Sequence, residues 1–199
     1  MPLNQLAAEE KSQAGASDAV SGRIAGAREA RKEPRLKLQF LSHGTLESKD
    51  LDKTRKFYEE FLGLEVVQTS KISLMIRLGG EHSYAVVHNP RKEPMPRRNH
   101  NGLDVATRAD VDRCYDIVKA EQAQWGIGKC TRPADHHGTY SFYFSDLDDN
   151  WWEILANPEG GYGWMFGKGG DIEQWGAGAD NPNQFTRMHK SLATATDED

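Results

Sequence analysis

His43, His100 and Glu153 are the residues of this 199-residue chain whose types and placement point most directly to chemistry. Two imidazoles and one carboxylate on a common face hold a divalent cation and leave several coordination positions open. That set suits non-haem Fe(II) and oxygen chemistry, and Mn(II), Zn(II) or Ni(II) accept the same ligands. The three residues are far apart in sequence. An internal repeat is what makes them a set.

The segments Ser73 to Pro90 and Ser141 to Pro158 overlay without a gap. Ser73 matches Ser141, Leu74 matches Phe142, Ile76 matches Phe144, Val86 and Val87 match Ile154 and Leu155, and both segments end in Asn-Pro. Each has two apolar runs around a polar turn, the pattern of a β-hairpin repeated in tandem modules. The spacing from His43 to Tyr58 equals that from His100 to Tyr115, so the first half of the repeat aligns as well. His43 and His100 thus stand at equivalent points on the first strands. Glu153 lies on the last strand of the second copy, where the first copy has Ala85. The alanine removes what would be a fourth protein ligand, which favours a metal open to substrate over a saturated one.

The elements that must position these residues read as follows. Leu36 to Leu41 alternates and predicts a strand with Leu36, Leu38 and Phe40 on one face, running into Ser42-His43-Gly44-Thr45. A helix starts around Ser48-Lys49-Asp50, presents Leu51, Tyr58, Phe61 and Leu62 inward, and stops at Gly63. Leu64 to Val67 is a second strand, and the first hairpin follows. After the Pro- and Arg-rich connector Arg91 to Arg98 the pattern restarts: a strand over 99–105, a helix from Asp110 to about Gln124, a longer loop-and-strand region over 125–138, and the second hairpin. The expected fold class is α+β: two tandem βαβββ modules (36–90 and 98–159) forming a curved mixed sheet around a metal-binding cleft. Residues 1–35 read as an arm, helical or flexible. Residues 160–199 form a Gly- and aromatic-rich extension whose stretch from Tyr162 to Phe185 drapes over the domain or its pocket.

Composition narrows the classes. The net charge is −5, which gives no electrostatic case for nucleic acid or an anionic membrane as partner. Cys114 and Cys130 have neither metal nor redox spacing and read as free thiols of a reducing, cytoplasmic compartment. There is no apolar run of about 18 residues for a membrane span, and no apolar signal core at the N-terminus.

On these residues the chain resembles the vicinal oxygen chelate superfamily of glyoxalases, fosfomycin-resistance proteins and extradiol dioxygenases. The resemblance runs from roughly Leu36 to Pro158 and rests on the βαβββ repeat, the run Phe57 to Val66, and Asp146-Leu-Asp-Asp-Asn-Trp-Trp-Glu-Ile154. That last segment departs at Leu147 and Asp149 from the superfamily's usual Asp-Pro-x-Gly-Asn turn. A second set of residues is similar to the type I extradiol ring-cleavage dioxygenases: His136, Phe142, Tyr143 and Glu153 fit their spacing, although Ala134 stands where that pattern prefers glycine, and His82-Ser83-Tyr84-Ala85 matches their acid–base histidine segment. The resemblance implies an Fe(II)-dependent enzyme that opens a catechol-type aromatic ring with O2. His43, His100 and Glu153 would bind the metal, and His82 would act as acid–base. Tyr143 would hydrogen-bond a substrate oxygen, and His136 or His137 would hold or deprotonate the second hydroxyl. A lyase, isomerase or thiol transferase of the same fold, using Mn(II), Zn(II) or Ni(II), needs only the three ligands. A small-molecule-binding resistance protein needs only the cleft. The implied partners are a small aromatic substrate and O2, and the superfamily's habit of dimerising admits a homodimer.

Overall fold

Short runs of alternating polar and apolar residues, cut by turn residues, produce four strands and one helix in each half of the chain. The computed structural model describes residues 35–36, 38–136, 139–157, 161–163 and 166, and 40–163 belong to one unit. The first half contains β1 (His43–Ser48), α1 (Leu51–Lys56) continued by a π-helical turn (Phe57–Phe61), β2 (Glu65–Ser70), β3 (Ser73–Arg77) and β4 (Ser83–His88). The second contains β5 (His100–Val105), α2 (Arg108–Trp125), β6 (Ala134–His136), β7 (Thr139–Ser145) and β8 (Trp151–Ala156). The strand orders are β1-β4-β3-β2 and β5-β8-β7-β6. In both sheets the first strand runs parallel to the last, and the other pairings are antiparallel. The fold is therefore α+β, with two βαβββ modules.

One boundary differs from the expectation. The first strand begins at His43, and Leu36, Leu38, Phe40 and Leu41 lie outside any strand and are exposed. The alternation there is real, but β4 takes its parallel partner from His43 to Ser48, pairing His43 with Ser83 and Ser48 with His88. The N-terminal arm, and the extension apart from 161–163 and 166, lie outside the described residues, as does His137.

Asp50 caps α1 by accepting the Lys53 backbone N–H (3.2 Å), and Thr107 caps α2 by accepting that of Asp110 (3.2 Å). Gly63, at φ +70°, ends the first helix as its position suggested. One face of each sheet packs on the helices. Leu46, Leu74, Ile76, Val86, Phe57 and Tyr58 share one buried cluster with Phe142, Phe144, Trp152, Ile154, Val111 and Val118, in which Trp152 lies edge-on to Tyr58 with ring centroids 5.6 Å apart.

The turn from Asp146 to Asn150 ties the modules together. Asp146 is buried and accepts hydrogen bonds from the Tyr58 hydroxyl (3.1 Å), the Trp152 indole (3.0 Å) and the Asn150 amide (3.2 Å). Its other oxygen accepts the backbone N–H groups of Asp148 and Asn150, each at 2.9 Å. Asp148 accepts the Lys49 backbone N–H (2.7 Å) and the Thr54 hydroxyl. Among the described residues, no helix is long and apolar enough to cross a membrane.

Candidate metal centre

The parallel pairing of β5 with β8 sets the site. His100 lies beside Trp151 and Gly102 beside Glu153, and β7 places Tyr143 opposite Glu153 on the other side. Because side chains alternate along a strand, His100, Glu153, Tyr143 and Ser141 share the face turned away from α2. Trp151 shares this face, and Trp152 packs in the core on the other. A carboxylate survives here because its neighbours compensate for burial.

His100 Nε2 lies 3.3 Å from Glu153 Oε2. On the far side of the ring, His100 Nδ1 donates to the Arg97 carbonyl at 2.9 Å. That bond keeps a proton on Nδ1 and leaves Nε2 facing Glu153: protonated, Nε2 donates to the carboxylate, and deprotonated, it offers the lone pair a metal-binding imidazole needs. The Tyr143 ring packs edge-on against the His100 ring, with centroids 4.9 Å apart, and Arg97 lies over the Tyr143 ring at 6.0 Å.

The electrostatics follow. Burial pushes the Glu153 carboxyl up, but the His100 ring and the Tyr143 and Ser141 hydroxyls on the same face outweigh burial, so its pKa ends below the usual glutamate value. His100 is raised, chiefly by its bond to Glu153 and against the effect of burial. Burial, and then the Glu153 charge, hold the Tyr143 hydroxyl far above the ordinary tyrosine range, so it stays protonated.

Glu153 is only 4% exposed, and its Oε1 has no donor in hydrogen-bonding geometry. A buried carboxylate oxygen without a partner is costly. A divalent cation held by Glu153 and His100 would satisfy both groups, so these two side chains fit a metal.

The other expected residues are distributed differently. His43 is exposed at the start of β1, with Ser42 Oγ 2.7 Å from its Nδ1. Among the described residues, no third His, Cys, Asp or Glu joins the His100–Glu153 pair, so the three ligands do not converge within one chain. His82 is exposed just before β4, with Nδ1 3.5 Å from the Leu41 carbonyl and its ring edge-on to Tyr84. The pairing of His43 with Ser83 makes His82 a neighbour of His43 on the first sheet. His136 ends β6, and its side chain, like all of His137, lies outside the described residues. A separate depression of about 280 Å³ between Lys49, Gln68, Lys71 and His88 shares no residue with this site.

Sequence reasoning missed Arg97, Ser141 and Tyr162 as site residues. Arg97 acts through its carbonyl, which no residue type signals. Ser141 was visible only as a repeat position. Tyr162 is expected, with the rest of its aromatic stretch, to drape over the domain or its pocket, but nothing singles it out as a site residue.

The model of the Glyoxalase/Bleomycin resistance protein/Dioxygenase superfamily matches residues 41–154. Among solved structures, a possible glyoxalase from Bacillus cereus is 19% identical, with 59% of this chain and 99% of that one covered and a TM-score of 0.50. A glyoxalase/bleomycin resistance protein/dioxygenase from Nocardioides is 19% identical, covering 71% and 95%, with a TM-score of 0.49. The fosfomycin resistance protein FosX from Listeria monocytogenes, complexed with Mn(II) and sulfate, is 25% identical, covering 60% and 91%, with a TM-score of 0.48. The likeness to these structures is one of fold.

Proposed function

Because this chain belongs to the glyoxalase/bleomycin resistance protein/dioxygenase superfamily, we propose that it is a divalent-metal enzyme, and specifically an Fe(II)-dependent extradiol dioxygenase that opens a catechol-type ring with O2. The observation that carries the metal part is the buried Glu153 carboxylate, with one oxygen beside His100 and the other without a partner. The ring-cleavage part rests on Tyr143, a protonated hydroxyl against the same carboxylate, in the sequence setting that resembles those dioxygenases.

The bound cation supplies a lowered pKa for the two adjacent hydroxyls and a meeting place for substrate and O2. The chain's residues do the rest. The Arg97 carbonyl orients His100. Tyr143 donates a hydrogen bond to a substrate oxygen, and its buried hydroxyl keeps the proton in place. Trp151, on the same face, excludes water from the reacting end.

The ligand set and the acid–base residue come from two half-sites. His43 and His82 sit together on the first sheet, and His100, Glu153 and Tyr143 sit together on the second. A second copy of the chain, bringing its first sheet over the second sheet of its partner, completes both the ligands and the chemistry. His82, assigned as acid–base by resemblance, would then stand as the proton donor to the substrate's oxygen. The exposure of His82 and its place on the other sheet also favour a second reading: a lyase, isomerase or thiol transferase of the same fold, holding Mn(II), Zn(II) or Ni(II), which needs the ligands alone.

Metal content and catechol turnover decide between them. Protein purified without chelator and loaded with Fe(II) should give a yellow ring-opened product from a catechol in air. His82→Ala should keep the metal and abolish the product. Stoichiometric zinc, nickel or manganese with no ring opening would replace the dioxygenase with the second reading.

A further inference from the structure

The face that carries His100 and Glu153 continues along β8 to Asn157, which the repeat pairs with Asn89. In the first module Asn89 is fully bonded: its amide donates to Glu47 Oε1 at 2.8 Å, and its carbonyl oxygen accepts the Arg91 backbone N–H at 3.1 Å. The fold itself therefore satisfies an asparagine at this position. Asn157 is buried, at 7% exposure, yet neither its side-chain nitrogen nor its oxygen has a partner.

The reason lies at the residue equivalent to Glu47, which is Asp104. Asp104 is one methylene shorter, and its carboxylate is taken up by backbone donors. It accepts the Asn157 N–H at 3.1 Å on one oxygen and the Gly161 N–H on the other. That second bond pins the chain after β8 and brings Tyr162 over the same face, where the Thr139 hydroxyl bonds to the Tyr162 hydroxyl. Thr139, one step beyond the Tyr140–Ala156 pair, comes opposite Asn157. Between the metal pair and Asn157 the face presents Leu155, flanked by Asp104 on β5 and Ser141 on β7, and Gly102 leaves the place beside Glu153 without a side chain. Four residues of strand separate Glu153 from Asn157, roughly 13 Å.

We propose that Asn157, walled by Thr139 and Tyr162, is a substrate-recognition subsite that binds an uncharged group carrying both a hydrogen-bond donor and an acceptor, such as a carboxamide, at the far end of an elongated ligand whose vicinal oxygens lie at His100 and Glu153. The inference rests on the reading of that pair as the metal end. An asparagine amide offers one donor side and one acceptor side, and a carboxamide matches both. Asp104 and Glu153 on the same face disfavour a carboxylate at this end. Leu155 offers the linking carbons an apolar contact along this stretch.

The test uses the full chain, loaded with Fe(II) under nitrogen so that no ring is opened, and calorimetric titration with three catechols whose tails are equal in length. One tail ends in a carboxamide, one in a methyl group and one in a carboxylate. The wild type should bind the carboxamide about tenfold or more tightly than the other two, because a buried polar group left unpaired is expensive. Asn157→Leu should erase that preference. Asn157→Asp keeps the shape and should reject the carboxamide's acceptor, so it preserves the proposal's falsifiability if the leucine variant misfolds. Equal binding of the three tails by the wild type, or a preference that survives in both variants, overturns the proposal. Catechol without a tail reports on the metal end separately. If it neither binds nor is opened in air, the metal reading fails. The subsite is then decided by NMR, through the Asn157 side-chain amide signals assigned by their loss in Asn157→Leu. A shift on adding phenylpropanamide supports the subsite, and no shift sinks it.

Discussion

Glu153 is a carboxylate buried on an otherwise apolar strand, and the His100 ring with the Tyr143 and Ser141 hydroxyls on its face keeps it ionised. Two predictions belong at this scale. Tyr143→Phe keeps the ring that packs on His100 but removes the proton-bearing hydroxyl. It should retain the metal and lower kcat by about a hundredfold, the order expected for loss of a positioned proton donor, as read by ring-opening kinetics beside metal analysis. In metal-free protein the His100–Glu153 pair has a definite pH window. His100 titrates above its ordinary value of 6.5, so its contribution is full below that value and is lost as pH rises through the raised one. Glu153 titrates below its ordinary 4.5, so its contribution is present above 4.5 and lost as pH falls through the lowered one. Melts in chelator should therefore show the largest advantage of wild type over Glu153→Gln between these values, shrinking toward alkaline pH, and a constant difference would contradict the pairing. Glu153 stood out in the sequence because the two copies differ there, and His100 because it repeats His43 at the equivalent strand position. The Arg97 carbonyl and the Tyr162 contact were not, since one is a backbone group and the other depends on a bond from Gly161 to Asp104 across the sheet.

At the scale of elements, close approaches and turns carry the stability. An ideal Cβ on Gly44 would lie 2.5 Å from Tyr84 Cε1, because the Tyr84 ring crosses β1 there. Gly44→Ala should destabilise the protein by about 1–3 kcal/mol, the range for overpacking, measured by urea unfolding, and should disturb His82, which packs on that ring. Asp149 sits at φ 61°, in the left-handed region, where the superfamily's turn has glycine. Its ion pair with Lys49 at 2.7 Å is partly exposed and is worth at most about 1 kcal/mol. Asp149→Gly should therefore stabilise the protein, by up to about 1 kcal/mol, whereas Asp149→Ala should not; a clear loss in the glycine variant would show the ion pair to matter more than the strain. The hairpins, both helices and the Gly63 stop were readable from periodicity and caps. The start of the first strand was not. Leu36 to Leu41 alternates as well as a strand does, and only the pairing of His43 to Ser48 with β4 decides which segment β4 accepts.

At the scale of the whole molecule, the two sheets repeat one plan, with His43 and His82 on the first and His100, Glu153 and Tyr143 on the second, which the proposed function takes as two halves of one site. If a second copy completes it, His43→Ala and Glu153→Ala should each be inactive alone. Mixed and allowed to exchange subunits, they should regain a fraction of wild-type turnover through the one intact composite site, and no recovery would confine the site to a single chain. The pseudo-symmetry that made the fold readable also hid this division, because equivalent positions in sequence do not say whether two sheets meet within a chain or between chains. The most direct measurement is divalent-metal binding by wild type and Glu153→Gln, with stoichiometry and affinity from anaerobic Fe(II) titration and elemental analysis. The wild type should hold about one cation per chain, and the glutamine variant should lose it while remaining folded. A wild type that takes up no metal, or a variant that binds it equally well, would contradict the assignment of His100 and Glu153 as a metal centre.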